Sequence, residues 1–218
     1  MQDRLTATGL LAAWEAGANR QPLDRALAIL WAAGAGGDDP AGLPLAERDR
    51  RLLSVRHHTF GPILPARATC PDCGAEMETE IDTRLLAEAL PEPGESDLRP
   101  ITSRDLAAVA DLPADEISAV LCARLAPGIE ASQALGARIE AEAEAAELRT
   151  AMTCAECGAR WIETLDVAAH VWAGVEHAAL VLLTEVAELA AHYGWPERDI
   201  LALSPARRRA YLTLARSG

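Results

Sequence analysis

The chain has 218 residues, half of them hydrophobic, and a formal net charge of −13, with Arg supplying every basic side chain and no Lys at all. That length allows one large domain or two small ones with a sizeable core, and an Ala- and Leu-rich, Phe- and Tyr-poor composition favours helices over strands. The acidic balance argues against general nucleic-acid binding, which needs a positive field at phosphates, and suits a chain that meets a basic partner. The opening MQDRLTATGLLAAWEAG has no cleavage-site pattern. The most apolar stretch is broken by His170, Glu176, His177, Glu185 and Glu188, so no membrane span is expected. Five cysteines without a signal peptide point to a reducing, cytoplasmic setting and metal ligation.

The N-terminal region, 1–62, reads as helices. The first spans 8–18 with Thr8 as a candidate N-cap and Leu10, Leu11 and Trp14 on its apolar side. Pro22 opens the second, where Leu23, Ala26, Leu27, Leu30 and Trp31 recur at helical spacing. AGAGGDDPAG (33–42) is a loop. A third helix over 44–59 carries Leu45, Leu52 and Val55, His57 and His58 sit near its end, and Gly61-Pro62 stops it.

The period then becomes alternating. Met77, Thr79 and Ile81 interleave with Glu76, Glu78, Glu80 and Asp82, predicting a half-buried strand with an acidic outer face. It follows TCPDCGA (69–75), a pattern repeated as TCAECGA (153–159) before a second strand, Arg160 to Leu165. Each Cys-x-x-Cys-Gly turn brings two thiolates to one point, with a glycine free to take φ > 0 after the second. Together Cys70, Cys73, Cys154 and Cys157 supply the four sulfurs of a closed, structural Zn²⁺ site. An iron–sulfur cluster and a redox dithiol are the competing chemistries. A thioredoxin-type motif opens a helix within a βαβ unit, whereas here a glycine and then a strand follow. Knuckle, strand, knuckle, strand is the order of a zinc ribbon, with halves at 63–82 and 149–165.

The insertion between the halves, 83–148, reads as mainly helical: a short helix around Leu85, Leu86 and Leu90, the loop PEPGESD, a helix capped by Ser103, one from Ala114 to Leu125 and an acidic one over 132–148. Cys122 falls in an apolar helical stretch as a small core residue.

In the C-terminal region, 166–218, Asp166 is a suitable N-cap for a helix running to Tyr193, with Gly194 ending it. Val171, Val175, Ala178, Leu182, Val186, Leu189 and Tyr193 keep 4-3-4-4-3-4 spacing, one continuous apolar stripe. His170 and His177 share a face of it. Trp195-Pro196-Glu197 starts a short helix, and Ser204-Pro205 starts the last one, whose first turn holds Arg207, Arg208 and Arg209. Cations there oppose the helix dipole, so these arginines with Trp195 and Tyr211 are the candidate partner surface. No Gly-rich phosphate loop, nucleophile elbow or acid–base pair stands out, and the expectation is a non-enzymatic protein.

LLAAWEAG (10–17), ERDRRLLSVR with FGP (47–62) ahead of CPDCG, and HVWAGVEHAALVLLTEVAELAAHYGWPERDILALSPARRRAYL (170–212) resemble the baseplate protein family of contractile-tailed phages and related contractile injection systems, described as baseplate hub or hub-assembly proteins. The resemblance covers both ends and the cysteine unit, and the insertion only weakly. It implies a structural or assembly role, chaperone-like, with other baseplate, hub or tail proteins as partners, in the cytoplasm during assembly or within a phage-like particle. The alternative is a zinc-ribbon nucleic-acid-binding or regulatory module in which the C-terminal helices act as a helix-turn-helix. The expected fold is mainly α, built around a small four-cysteine zinc-ribbon β unit with a helical insertion.

Overall fold

A computed structural model describes residues 3–92 and 98–217. The N-terminal helices are α1 (Ala7–Gly17), α2 (Pro22–Ala32) and α3 (Leu45–Phe60). The cap of α1 is Thr6, whose hydroxyl accepts from the Gly9 N–H, and not Thr8, which lies inside the helix. Pro22 does open α2, and α3 ends on Gly61 at φ 98°, a left-handed angle that glycine takes without strain.

Next comes a hairpin of β1 (Ile63–Thr69) and β2 (Glu76–Asp82), antiparallel with Thr69 opposite Glu76. Four helices follow: α4 (Thr83–Ala89), α5 (Ser103–Val109), α6 (Ala114–Leu125) and α7 (Gln133–Ala145). A second hairpin joins β3 (Leu148–Thr153) to β4 (Arg160–Leu165). The chain finishes with α8 (Val167–Tyr193), α9 (Glu197–Leu201) and α10 (Pro205–Ser217). Most of the predicted PEPGESD loop, 93–97, lies outside the described residues.

The hairpins are separate two-stranded sheets with no strand pairing between them. The strands expected after each knuckle are present, and the structure adds one before each. Each knuckle is the tip of its own hairpin, because the strand before it pairs with the strand after it.

α8 organises the main core. Val171, Val175, Ala179 and Leu189 are completely buried, and α1, α2, α3, α9 and α10 all pack on it. Asp166 caps its start by accepting from the Ala169 N–H, and Gly194 ends it in the left-handed region. By length and mean hydropathy (1.4 over its most apolar window) α8 reaches the range of a membrane-crossing helix, a range that the apolar helices of protein cores also reach. Its packing is that of a core helix. Gly17 makes one close approach possible: a Cβ there would collide with the Trp172 ring.

A second, smaller core lies inside the insertion, where Ile101, Cys122, Leu125, Leu135 and Ile139 are buried together. Cys122 is thus a core residue, as its surroundings in the sequence imply. Beside this core sits Asp105, completely buried. Its carboxylate accepts from Arg99 at 2.7 and 2.9 Å, from Arg124 at 2.8 Å, and from the Thr102 backbone N–H and hydroxyl. Thr102, not Ser103, is therefore the cap of α5, in a reciprocal capping box with Asp105. Burial opposes ionisation of Asp105, but Arg99, Thr102 and Arg124 outweigh it and hold the carboxyl well below the usual range. This unit docks on the N-terminal helices through Leu45 N–H to Ile101 C=O (3.0 Å) and a paired Arg104–Asp39 contact. α4 belongs instead to the main core, through Leu86 and Leu90.

Candidate metal centre

The two knuckles have the same internal wiring. In the first, the Cys70 N–H donates to Ala75 C=O at 2.9 Å and the Gly74 N–H to Cys70 C=O at 2.9 Å. In the second, the Cys154 N–H donates to Ala159 C=O at 2.8 Å and the Gly158 N–H to Cys154 C=O at 3.0 Å. Gly74 and Gly158 sit at φ 73° and 77°, where a side chain brings strain. The repeated glycine is a backbone requirement of the turn.

The tips meet. All four sulfurs of Cys70, Cys73, Cys154 and Cys157 lie within 4.8 Å of one another. Cys70 Sγ is 3.7 Å from Cys157 Sγ, and Cys73 Sγ is 3.6 Å from Cys154 Sγ, pairs separated by 87 and 81 residues. A tetrahedron of sulfurs about 2.3 Å from its centre has edges of about 3.8 Å, so these distances match a closed four-thiolate shell. Cys70 and Cys154 are buried while Cys73 and Cys157 face solvent, so an ion held by all four would be half-covered, with its four tetrahedral positions filled. Among the described residues this is the one group of three or more His, Cys, Asp or Glu side chains placed to share an ion.

The electrostatics agree. The Cys157 and Glu156 backbone N–H groups hold the Cys154 thiol down to about 7. The Ala159 backbone favours the Cys157 thiolate, yet the crowding sulfurs of Cys73, Cys154 and Cys70 push it up to about 12. Cys73 is also raised, for although the Ala75 backbone favours its thiolate, the Cys154 and Cys70 sulfurs oppose it. The neighbouring sulfurs thus oppose the thiolates of Cys73 and Cys157, a penalty that a cation among them would reverse.

The histidines take other roles. His57 Nδ1 lies 3.3 Å from the Thr83 hydroxyl, His58 turns back to Ser54 C=O, and His170 stays at its own helix start beside Asp166 C=O. His177 is exposed on α8.

The candidate partner residues divide. Trp195 stacks on Tyr193 at 4.6 Å and meets Tyr211 edge-on at 4.9 Å, so Trp195 and Tyr211 are half-buried in a cluster that joins α8 to α10. Arg208 is buried and donates to Glu185 (2.9 Å) and Leu203 C=O (2.8 Å). It is committed internally, which offsets the dipole penalty of its position. Arg207 and Arg209 remain exposed.

Sequence reasoning missed the strands that precede the knuckles. β1 contains Pro65 and small alanines, which weaken a strand pattern. β3 was hidden behind the acidic helix, which ends at Ala145 before Leu148 begins the strand. The signal was the repeat itself: two like turns imply two like hairpins. Comparison with protein-family models, curated proteins and solved structures yields no match, so the chemistry of the site rests on its own geometry.

Proposed function

We propose that the chain is a zinc-stabilised, non-enzymatic structural or assembly protein of a phage-type contractile-tail baseplate, acting through protein–protein contacts. The four-sulfur cluster carries the metal half of this reading. A closed tetrahedral thiolate shell suits Zn²⁺ in a structural role, with no open position for a substrate or activated water. Bound there, the ion cross-links two hairpins and stabilises the fold, since binding energy at such a site is folding energy. The baseplate half rests on the sequence resemblance at both ends, and hub or tail proteins are the partners it suggests.

Two experiments test the halves separately. Metal analysis of the purified chain is expected to find one zinc per chain, lost in Cys73→Ser together with solubility. Iron in place of zinc, or full metal loss with unchanged thermal unfolding, would refute the structural zinc. For the baseplate role, the tagged chain is expressed in its native producer and tails are purified. Association with tails or their assembly intermediates is expected, and its absence from both counts against the role.

A further inference from the structure

The four sulfurs of the cluster are not equivalent. Cys70 and Cys154 are 1% and 2% exposed, whereas Cys73 and Cys157 face solvent. Each exposed sulfur lies against the buried sulfur of the opposite knuckle. Cys73 Sγ is 3.6 Å from Cys154 Sγ, and Cys157 Sγ is 3.7 Å from Cys70 Sγ. Both contacts cross from one hairpin to the other. The fifth cysteine, Cys122, is enclosed in the separate core of the insertion and takes no part. An accessible thiolate with a second thiolate beside it is the arrangement that oxidises reversibly: the first meets the oxidant and the second resolves it.

We infer that the clasp has two interchangeable forms. In the reduced form a zinc ion joins the hairpins. On oxidation by hydrogen peroxide the ion leaves, and two cross-hairpin disulfides, Cys73–Cys154 and Cys157–Cys70, take its place. The zinc form rests on the function proposed above, whereas the sulfur pairing rests on the distances and exposures of the thiols.

The Cys73 thiolate attacks one peroxide oxygen, the O–O bond breaks, and Cys73 becomes a sulfenic acid as hydroxide departs. The Cys154 thiolate then attacks the Cys73 sulfur, forming the S–S bond and expelling a second hydroxide. Two electrons pass from the sulfur pair to one peroxide, and both hydroxides take up protons to become water. Cys157 and Cys70 repeat the sequence with a second peroxide. Zinc is held by thiolates, so sulfurs that have lost that charge release the ion. Pairing within each knuckle would untie the hairpins, which lie in separate sheets. Pairing across them bridges 81 and 87 residues, and links over such separations restrict the unfolded chain strongly. The junction therefore outlasts oxidation but not chelation under reducing conditions.

The test treats the metal-loaded full chain, freed of reductant, with two equivalents of hydrogen peroxide. Zinc release is followed with a chromogenic chelator and is expected to reach one ion per chain. Digestion without reduction, read by mass spectrometry, is expected to yield Cys73–Cys154 and Cys157–Cys70 cross-linked peptides. Hydrogen exchange in both hairpins should stay near the metal-loaded level, well below that of the chelated, reduced chain. Disulfides within each knuckle, sulfinic acid at Cys73 or Cys157 without a disulfide, or hairpin exchange as fast as in the chelated, reduced chain would overturn the inference. A chain that carries no zinc beforehand yet forms both cross-hairpin bonds would count against the zinc reading while supporting the pairing.

Discussion

The paired hairpins and the α5–α7 unit both bring distant segments together, but by opposite means. Beyond Leu64 no residue of β1 is buried before Cys70, and none of β4 is buried before Leu165. The outer halves of the hairpins therefore have almost no apolar burial, and a lone two-stranded hairpin is marginal in water. Their junction depends on four sulfurs. The α5–α7 unit instead has its own apolar cluster and a carboxylate caged by two arginines. If the proposed ion is bound, metal dependence falls on the hairpins, and the acid dependence linked to Asp105 falls on the α5–α7 unit.

Chelation or Cys70→Ser is expected to have the largest effect. It removes a contribution that reaches roughly 10–16 kcal/mol in small zinc peptides. Hydrogen exchange should rise across both hairpins at once, because each holds half of the shell, while amides of α6 and α7 stay protected. Loss of protection in only one hairpin would break the comparison. Protons compete with the metal for thiolates, so this region also loosens when acid displaces the ion.

Asp105→Ala should produce the converse. Removing the carboxylate leaves the buried Thr102 N–H and hydroxyl without their acceptor, while the part-exposed arginines turn to water, and is expected to cost about 1–3 kcal/mol, read by denaturant unfolding, with the metal content unchanged. The sign of its pH dependence follows from the lowered pKa of Asp105. Its stabilisation is present above the unfolded carboxyl value of about 3.9 and is lost as pH falls through the lower folded value. Asp105→Asn should lack that acid-linked loss.

Gly74→Ala and Gly158→Ala sharpen the likeness of the knuckles. Each forces a Cβ into a left-handed backbone at a cost of about 1–2 kcal/mol, and the two losses in thermal stability should be similar. Arg67→Ala removes the exposed Arg67–Glu78 pair and should change stability by less than about 1 kcal/mol, since hairpin surface charge does little for the junction.

Much of this organisation was legible in residues with a single physical job. Asp166 and Gly194 bracket α8 because caps act locally, and Cys-x-x-Cys-Gly announces a turn by itself. What escaped depends on tertiary partners. β1 is a strand because β2 pairs with it, despite Pro65. Thr102 outranks Ser103 as a cap because Asp105 reaches back to it. Arg208 looked like a surface cation until Glu185, on another helix, placed it inside. All four cysteines of the site were legible, whereas that they join two separate hairpins was not, since strand pairing is not written in ligand spacing.

X-ray absorption at the metal edge of the purified protein tests the clasp most directly. Four sulfur neighbours at about 2.3 Å around one zinc per chain is the result expected from the clustered Cys70, Cys73, Cys154 and Cys157 thiols. Nitrogen or oxygen in the first shell, or no bound metal at all, would contradict it.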